Sequence, residues 1–347
     1  MRMALILFIV GLMICGCAQT ESQQTPCLNC EGHDTPAENF SNHYTQYNTS
    51  PENNDSGVLF IGMVVHLEGW ADGNQAVFNT HKEKILALAD IFEKHNAKIS
   101  FESKEFTEGV IKWNDTVLED LQNRGHSIGV HADVGGDSNL DYTYDDMVAE
   151  LKDKKEKLES TGVSVHEVSG ICSQNIDWVG AAAEAGYEFT SGLVAYCAMS
   201  LPVEERPEEH RFCSGPVECH DPYPTELQNR LSPWQANSAV NWIQNDPDGK
   251  LGIVPAGGGL YYMDGKDNEI FTEADISAAI NELELAIDMS EAGKVNTYHW
   301  TISFGQSPDL KKIDEFLTKI DEYVAEGKVE WRTLPQMYEA YLEEQGN

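Results

Sequence analysis

From Gly57 onward the chain alternates short apolar runs with amphipathic stretches, and this alternation limits the fold more than any other feature. Val58 to His66 is a continuous apolar run, as expected of a strand buried on both faces. Ala76 to His95 follows with a helical stripe of Val77, Ile85, Leu88, Ala89 and Phe92. The pattern then repeats. Strands are expected over 98–101, 127–131, 163–171, 189–196, 250–255, 295–302 and 329–334. Helices are expected over 110–124, 142–159, 177–185, 273–289, from Ser307-Pro308 to Val324, and over 335–344. Thr272 and Asp275 form a capping pair for the helix over 273–289. Repeated strand–helix units imply a parallel sheet, and seven or eight of them favour a closed barrel. No glycine-rich phosphate motif opens the first helix, which argues against dinucleotide and P-loop folds. Gly257-Gly258-Gly259 comes late and lacks the spacing.

What precedes and interrupts this pattern reads differently. Met1 and Arg2 lead into the apolar run Ala4 to Met13, which is too short to span a bilayer comfortably and reads as an export signal. Ile14-Cys15-Gly16-Cys17 resembles the lipobox of membrane lipoproteins, which implies a signal over 1–17, lipidation of Cys17 and an extracytoplasmic protein anchored to the membrane. An ordinary signal peptide cleaved nearby is the plain alternative. Residues 18–56 are polar, lack hydrophobic periodicity and read as a tether. Residues 57–347 form the strand–helix domain, with an excursion over about 199–248 that is rich in Pro, Glu, Asn and Cys and carries a short helix near 239–243. With 58 acids against 23 bases the formal charge is −35, which excludes nucleic acid and an anionic lipid surface as partners.

Outside the cytoplasm an even set of cysteines reads as disulfides. Cys172, Cys197, Cys213 and Cys219 allow three pairings, and Cys213 with Cys219 closes the shortest loop. A zinc site from Cys197, Cys213, Cys219 and His220 is the alternative, on spacings that match structural zinc sites poorly. Cys27 and Cys30 read as a small structural bridge.

The chemistry of a parallel barrel lies at the C-terminal ends of its strands. There the first strand carries His66 and Glu68, two apart and therefore on one face, followed by Trp70. The second ends near Glu102, where a solvated carboxylate is the plain reading, and the third ends in His131-Ala132-Asp133. A late strand carries Tyr298-His299-Trp300. Histidines and carboxylates converging from several strands suit a divalent metal and acid–base catalysis.

These residues resemble the motifs of the polysaccharide deacetylases of the NodB-homology type. Val65-His66-Leu67-Glu68-Gly69-Trp70 is similar to the acidic pair that ends the family's first strand. Gly125-His126-Ser127-Ile128-Gly129-Val130-His131 is similar to its third-strand motif, and Tyr298-His299-Trp300 to its late histidine. Trp331 to Leu342 resembles its closing strand and helix, so the likeness covers most of 57–342. It implies a distorted (β/α)7–8 barrel, a carbohydrate substrate, loss of an N- or O-acetyl group, and a divalent metal such as zinc. Residue by residue, it implies Glu68 and His131 as metal ligands, His66 in the place of the catalytic base and His299 as proton donor. Trp70 and Trp300 become candidates for stacking on a sugar ring, and His126 reads as structural.

The sequence also departs from the family. The second ligand histidine is due at position 135, which is Gly135; Asp133 and Asp137 are the nearest substitutes. The family's Arg-x-Pro-Tyr stretch appears as Ser169-Gly170-Ile171-Cys172, without its arginine. Two rival readings therefore stand beside the hydrolase: a non-catalytic relative that binds a glycan, and a glycosidase pairing Glu68 with another carboxylate.

Overall fold

The computed structural model describes residues 57–68, 73–135, 143–263, 270–304 and 309–346. Cys17, the tether, Cys27, Cys30, Trp70 and Asp137 lie outside the described residues. Strands β1 (Leu59–Leu67), β2 (Ser100–Ser103), β3 (Ser127–His131), β4 (Glu167–Ser169) and β5 (Phe189–Ser191) pair in parallel, each with the next. Beyond β5 come β7 (Leu251–Val254), parallel, and β6 (Trp234–Ala236), antiparallel at the edge. On the other side β8 (Asn296–Ser303) pairs with β1 from Leu59 to His66, and β9 (Val329–Trp331) pairs with the start of β1. Residues 257–259 complete the turn from β7 to β8: Gly257 N donates to His299 O at 2.7 Å and Thr301 N to Gly258 O at 3.2 Å. The sheet closes through this irregular segment, which gives the distorted (β/α) barrel.

The period of two explains the packing. On β1, Leu59, Ile61, Met63, Val65 and Leu67 are fully or almost fully buried against the helical layer. That layer includes α1 (Gln75–Lys94), α4 (Tyr144–Glu159), α6 (Glu273–Met289) and α7 (Leu310–Ala325). The alternate residues point into the barrel. There Val64, Phe189 and Val254 meet Leu334, Met337, Tyr338 and Tyr341 of α8 (Leu334–Gln345), which closes the lower end with an apolar plug. The upper, C-terminal end is left to polar side chains.

Several expectations change for local reasons. The single helix expected over 110–124 is two, α2 (Phe106–Trp113) and α3 (Val117–Asn123), because Asn114 turns left-handed at φ 49° and Asp115 accepts from Val117 N. α5 (Trp178–Glu184) lies within its expected range. β5 ends at Ser191 rather than Tyr196; Gly192 reverses the chain at φ +64° and residues 195–200 form a 3-10 turn. No helix forms at 239–243; Trp242 instead packs fully buried against Trp178, Tyr223 and Trp234. Thr272 and Asp275 do form a capping box on α6. Cys172 bonds to Cys197 and Cys213 to Cys219, so the thiols of the alternative zinc site are consumed. Among the described residues no helix is long and apolar enough to cross a membrane.

Candidate active site

The register of the sheet assembles the mouth. His66 on β1 stands beside Glu102 on β2, and His131 on β3 beside Ser169 on β4. His66 and His131 stack face to face, with ring centroids 4.0 Å apart and planes 18° apart. Glu102 is wholly buried rather than solvated, which corrects its reading as a surface carboxylate. It accepts from Ser191 Oγ at 2.6 Å and from Ser169 Oγ, and His66 Nε2 lies 3.0 Å away. That last contact is electrostatic, since the ring N–H is not aligned along it.

Glu68 sits nearer solvent. Its Oε1 is 2.8 Å from His131 Nε2 and 3.5 Å from His66 Nδ1, and Ser303 Oγ donates to its Oε2 at 3.3 Å. Hydrogen bonds from His131 and then His66 hold its carboxyl well below the usual range. Asp133 Oδ1 lies 3.4 Å from the same His131 Nε2, and its Oδ2 receives Lys104 Nζ at 2.8 Å.

Burial and neighbouring charge set His66 and His299 apart. Burial alone would lower the pKa of His66, but Glu102 and Glu68 on either side raise it to about 9. An imidazolium has no lone pair with which to take a proton from water, so with both carboxylates free of metal His66 stands as a cation and donor. His299 is its opposite. It lies fully buried in the barrel at the level of Gly62, and burial lowers its pKa to about 4. Buried and favoured in its neutral form, it is not poised to give a proton in this arrangement, although Glu102 and His66 lie close enough to act on it by charge. Trp300 is also corrected: it is fully buried on the outer face of β8 between Tyr298, Phe316 and Trp331, and offers no face to a sugar. His126 is structural, with Nδ1 accepting the Ile99 amide at 3.0 Å.

A metal can be tested against these donors. One ligand atom each from His66, Glu102 and His131 fall within 4.8 Å of one another. Stacked rings exclude that set, because each imidazole lone pair lies in its own ring plane and the two planes are nearly parallel. At the mouth, the ligand atoms of Glu68, His131 and Asp133 do not all lie within 4.8 Å of one another, so a metal there would have to draw them together. His131 Nδ1 is bonded to Ser169 Oγ at 2.8 Å, and its Nε2 faces the carboxylates of Glu68 and Asp133. With Nδ1 engaged by Ser169, Nε2 is the ring atom left to meet the two carboxylates or a metal ion. Zinc bonds of about 2.0–2.1 Å in a tetrahedron put ligand atoms roughly 3.3 Å apart; the 3.4 Å between His131 and Asp133 matches this, whereas the 2.8 Å between His131 and Glu68 is that of a direct hydrogen bond.

Position 135 shows why the family's second histidine is absent. Gly135 has φ +100°, and a Cβ there would lie 2.3 Å from the Cys172 carbonyl oxygen. The loop presses on the segment tied down by the Cys172–Cys197 bridge.

A second buried carboxylate was not foreseen. Glu167 on β4 folds across Gly129, whose Cβ would meet its Cγ at 2.2 Å. This is why the third-strand motif needs glycine before Val130-His131. Burial, and then the charge of Glu102, push the Glu167 carboxyl well above its usual pKa, so the folded protein holds a proton there. A raised folded pKa stabilises below the unfolded value of about 4.3 and is progressively lost as pH rises toward the folded one. Glu167→Gln is therefore expected to gain Tm over the parent protein as pH is raised from 4 to 8, with the two converging near pH 4. Calorimetry showing a pH-independent difference would contradict a protonated Glu167.

No family model matches the sequence, and no curated protein matches it. Solved structures do. A candidate polysaccharide deacetylase from Mycobacterium smegmatis is 14% identical with a TM-score of 0.53, over 85% of this chain and 93% of its own. A 4-alpha-glucanotransferase from Thermococcus litoralis is 14% identical with a TM-score of 0.52, over 82% of this chain and 38% of its own. The chain thus spans well under half the length of the glucanotransferase. At such identity the likeness is one of fold.

Proposed function

From a chain with the barrel fold of the polysaccharide deacetylases, we propose an extracytoplasmic, lipid-anchored hydrolase that removes acetyl groups from a glycan, with a divalent ion held by Glu68, His131 and Asp133. The observation that carries this reading is His131 Nε2, set between two carboxylates at 2.8 and 3.4 Å at the barrel mouth. A bound divalent ion supplies polarisation of the acyl carbonyl and a water of lowered pKa. The protein's own residues supply the charge that holds the ion and a proton donor for the leaving group. Glu68 and Asp133 carry the negative charge, and Lys104 orients Asp133 by taking its second oxygen. His66, partly exposed and held as a cation between Glu102 and Glu68, is the group placed to give a proton to the departing amine or alcohol. The two disulfides support an extracytoplasmic location, and the anchor rests on the Cys17 motif.

One observation favours a second reading, a non-catalytic glycan-binding protein. The chain Glu102, His66, Glu68, His131 satisfies its charges with protons alone, and Gly135 offers no side chain. The two readings separate in one experiment on the purified protein: zinc content, and acetate release from N- and O-acetylated glycans. The hydrolase reading expects bound zinc and acetate release. His131→Ala should reduce both by more than the roughly 100-fold range of outer-shell changes. Absence of zinc and of acetate release, with glycan binding retained, sinks the hydrolase and leaves the binding protein.

A further inference from the structure

We infer that Glu102 is the positioning residue of this mouth: acting through Ser169, it fixes the ring of His131 so that Nε2 faces Glu68 and Asp133. The inference rests on the metal reading above only for its zinc arm.

The direction of the hydrogen bonds follows from what each group can do. Glu102 is wholly buried and collects Ser191 Oγ at 2.6 Å, Ser169 Oγ, and the His66 ring 3.0 Å away. A carboxyl served by two hydroxyls and a ring nitrogen is ionised and only accepts. Ser169 therefore spends its single proton on Glu102, and toward His131 it has only a lone pair. The 2.8 Å contact from His131 Nδ1 to Ser169 Oγ must then be an N–H donated by the ring. That places the tautomer. Nδ1 carries hydrogen, and Nε2 is the nitrogen that receives a metal or a second proton. A histidine ligand whose far nitrogen is tied to a carboxylate is a known way to orient a ring and raise its basicity; here a serine is inserted between the two. Ser169 stands where the resembled family carries arginine, so the same departure that cost a basic residue supplies this link. Ser191 holds only the other oxygen of Glu102 and does not touch His131.

Ser169→Ala cuts the link, and Ser191→Ala removes a bond of similar size from the same carboxylate on its other side. The full-length protein is labelled with 15N-histidine and measured metal-free, and then titrated with Zn2+. In the parent protein and in Ser191→Ala, the His131 Nδ1–H should be held in its hydrogen bond and exchange slowly with solvent. In Ser169→Ala the His131 ring signals should shift and its Nδ1–H should exchange faster with solvent, and the Zn2+ dissociation constant should rise about 10–100-fold, with a change of less than about threefold in Ser191→Ala. His131 ring signals that are unchanged in Ser169→Ala overturn the inference, as does an equal zinc loss in both variants. A parent protein that binds no Zn2+ overturns the metal reading instead, and the metal-free ring signals then decide the inference alone.

Discussion

Gly135→His, the substitution that restores the family's missing histidine, is expected to destabilise the protein and leave its zinc affinity no higher. Glycine at φ +100° pays no steric cost, whereas a residue with a Cβ does. The new Cβ would also have to displace the Cys172 carbonyl from 2.3 Å. Left-handed strain and overpacking each cost roughly 1–3 kcal/mol. Their sum corresponds to a fall in Tm of roughly 3–10 °C for a domain of this size. Calorimetry and zinc titration of the variant check both halves. A tighter zinc site at unchanged Tm would show that the loop yields freely, and that the sequence lacks only a side chain.

Glu102→Ala should cost a comparable amount. The substitution leaves the His66 cation without its buried partner and orphans the hydroxyls of Ser169 and Ser191. Removing one partner of a buried charge pair costs about 3–5 kcal/mol, against a whole-domain stability of roughly 5–15 kcal/mol. A Tm loss of roughly 5–8 °C follows. His66 should also lose its raised pKa, readable from its ring signals in NMR. A variant that melts within about 2 °C of the parent would mean that solvent already serves these groups.

The two substitutions mark the limit of what the residues alone disclosed. The order of strands and helices was legible because burial imposes a period of two or of 3.6. Thr272 with Asp275 capped α6 where expected, and Ser127 to His131 formed β3. Elements were misjudged where one residue's backbone overrode the pattern, at Asn114 and Gly192. His66, Glu68, His131 and Asp133 were identified because they follow one another along β1 and β3 at the mouth end. Ser169 and Ser191 were not, since serine at a strand end carries no signal of its own. Glu102 was read as solvated because exposure is not written in a single carboxylate.

The sequence by itself determined the alternation of elements, the face on which each strand-end side chain emerges, and hence which residues can reach the mouth. These are local properties of chain geometry. Only the tertiary structure decided what those residues are chemically. Glu102 meets serines 67 and 89 positions away, and this contact makes it an anion and His131 an Nδ1–H tautomer. The same assembly surrounds His66 with two carboxylates and seals His299 from water, so one histidine is charged and the other neutral. Protonation depends on solvent exclusion and on charges brought close in space, and neither is a property of the chain order.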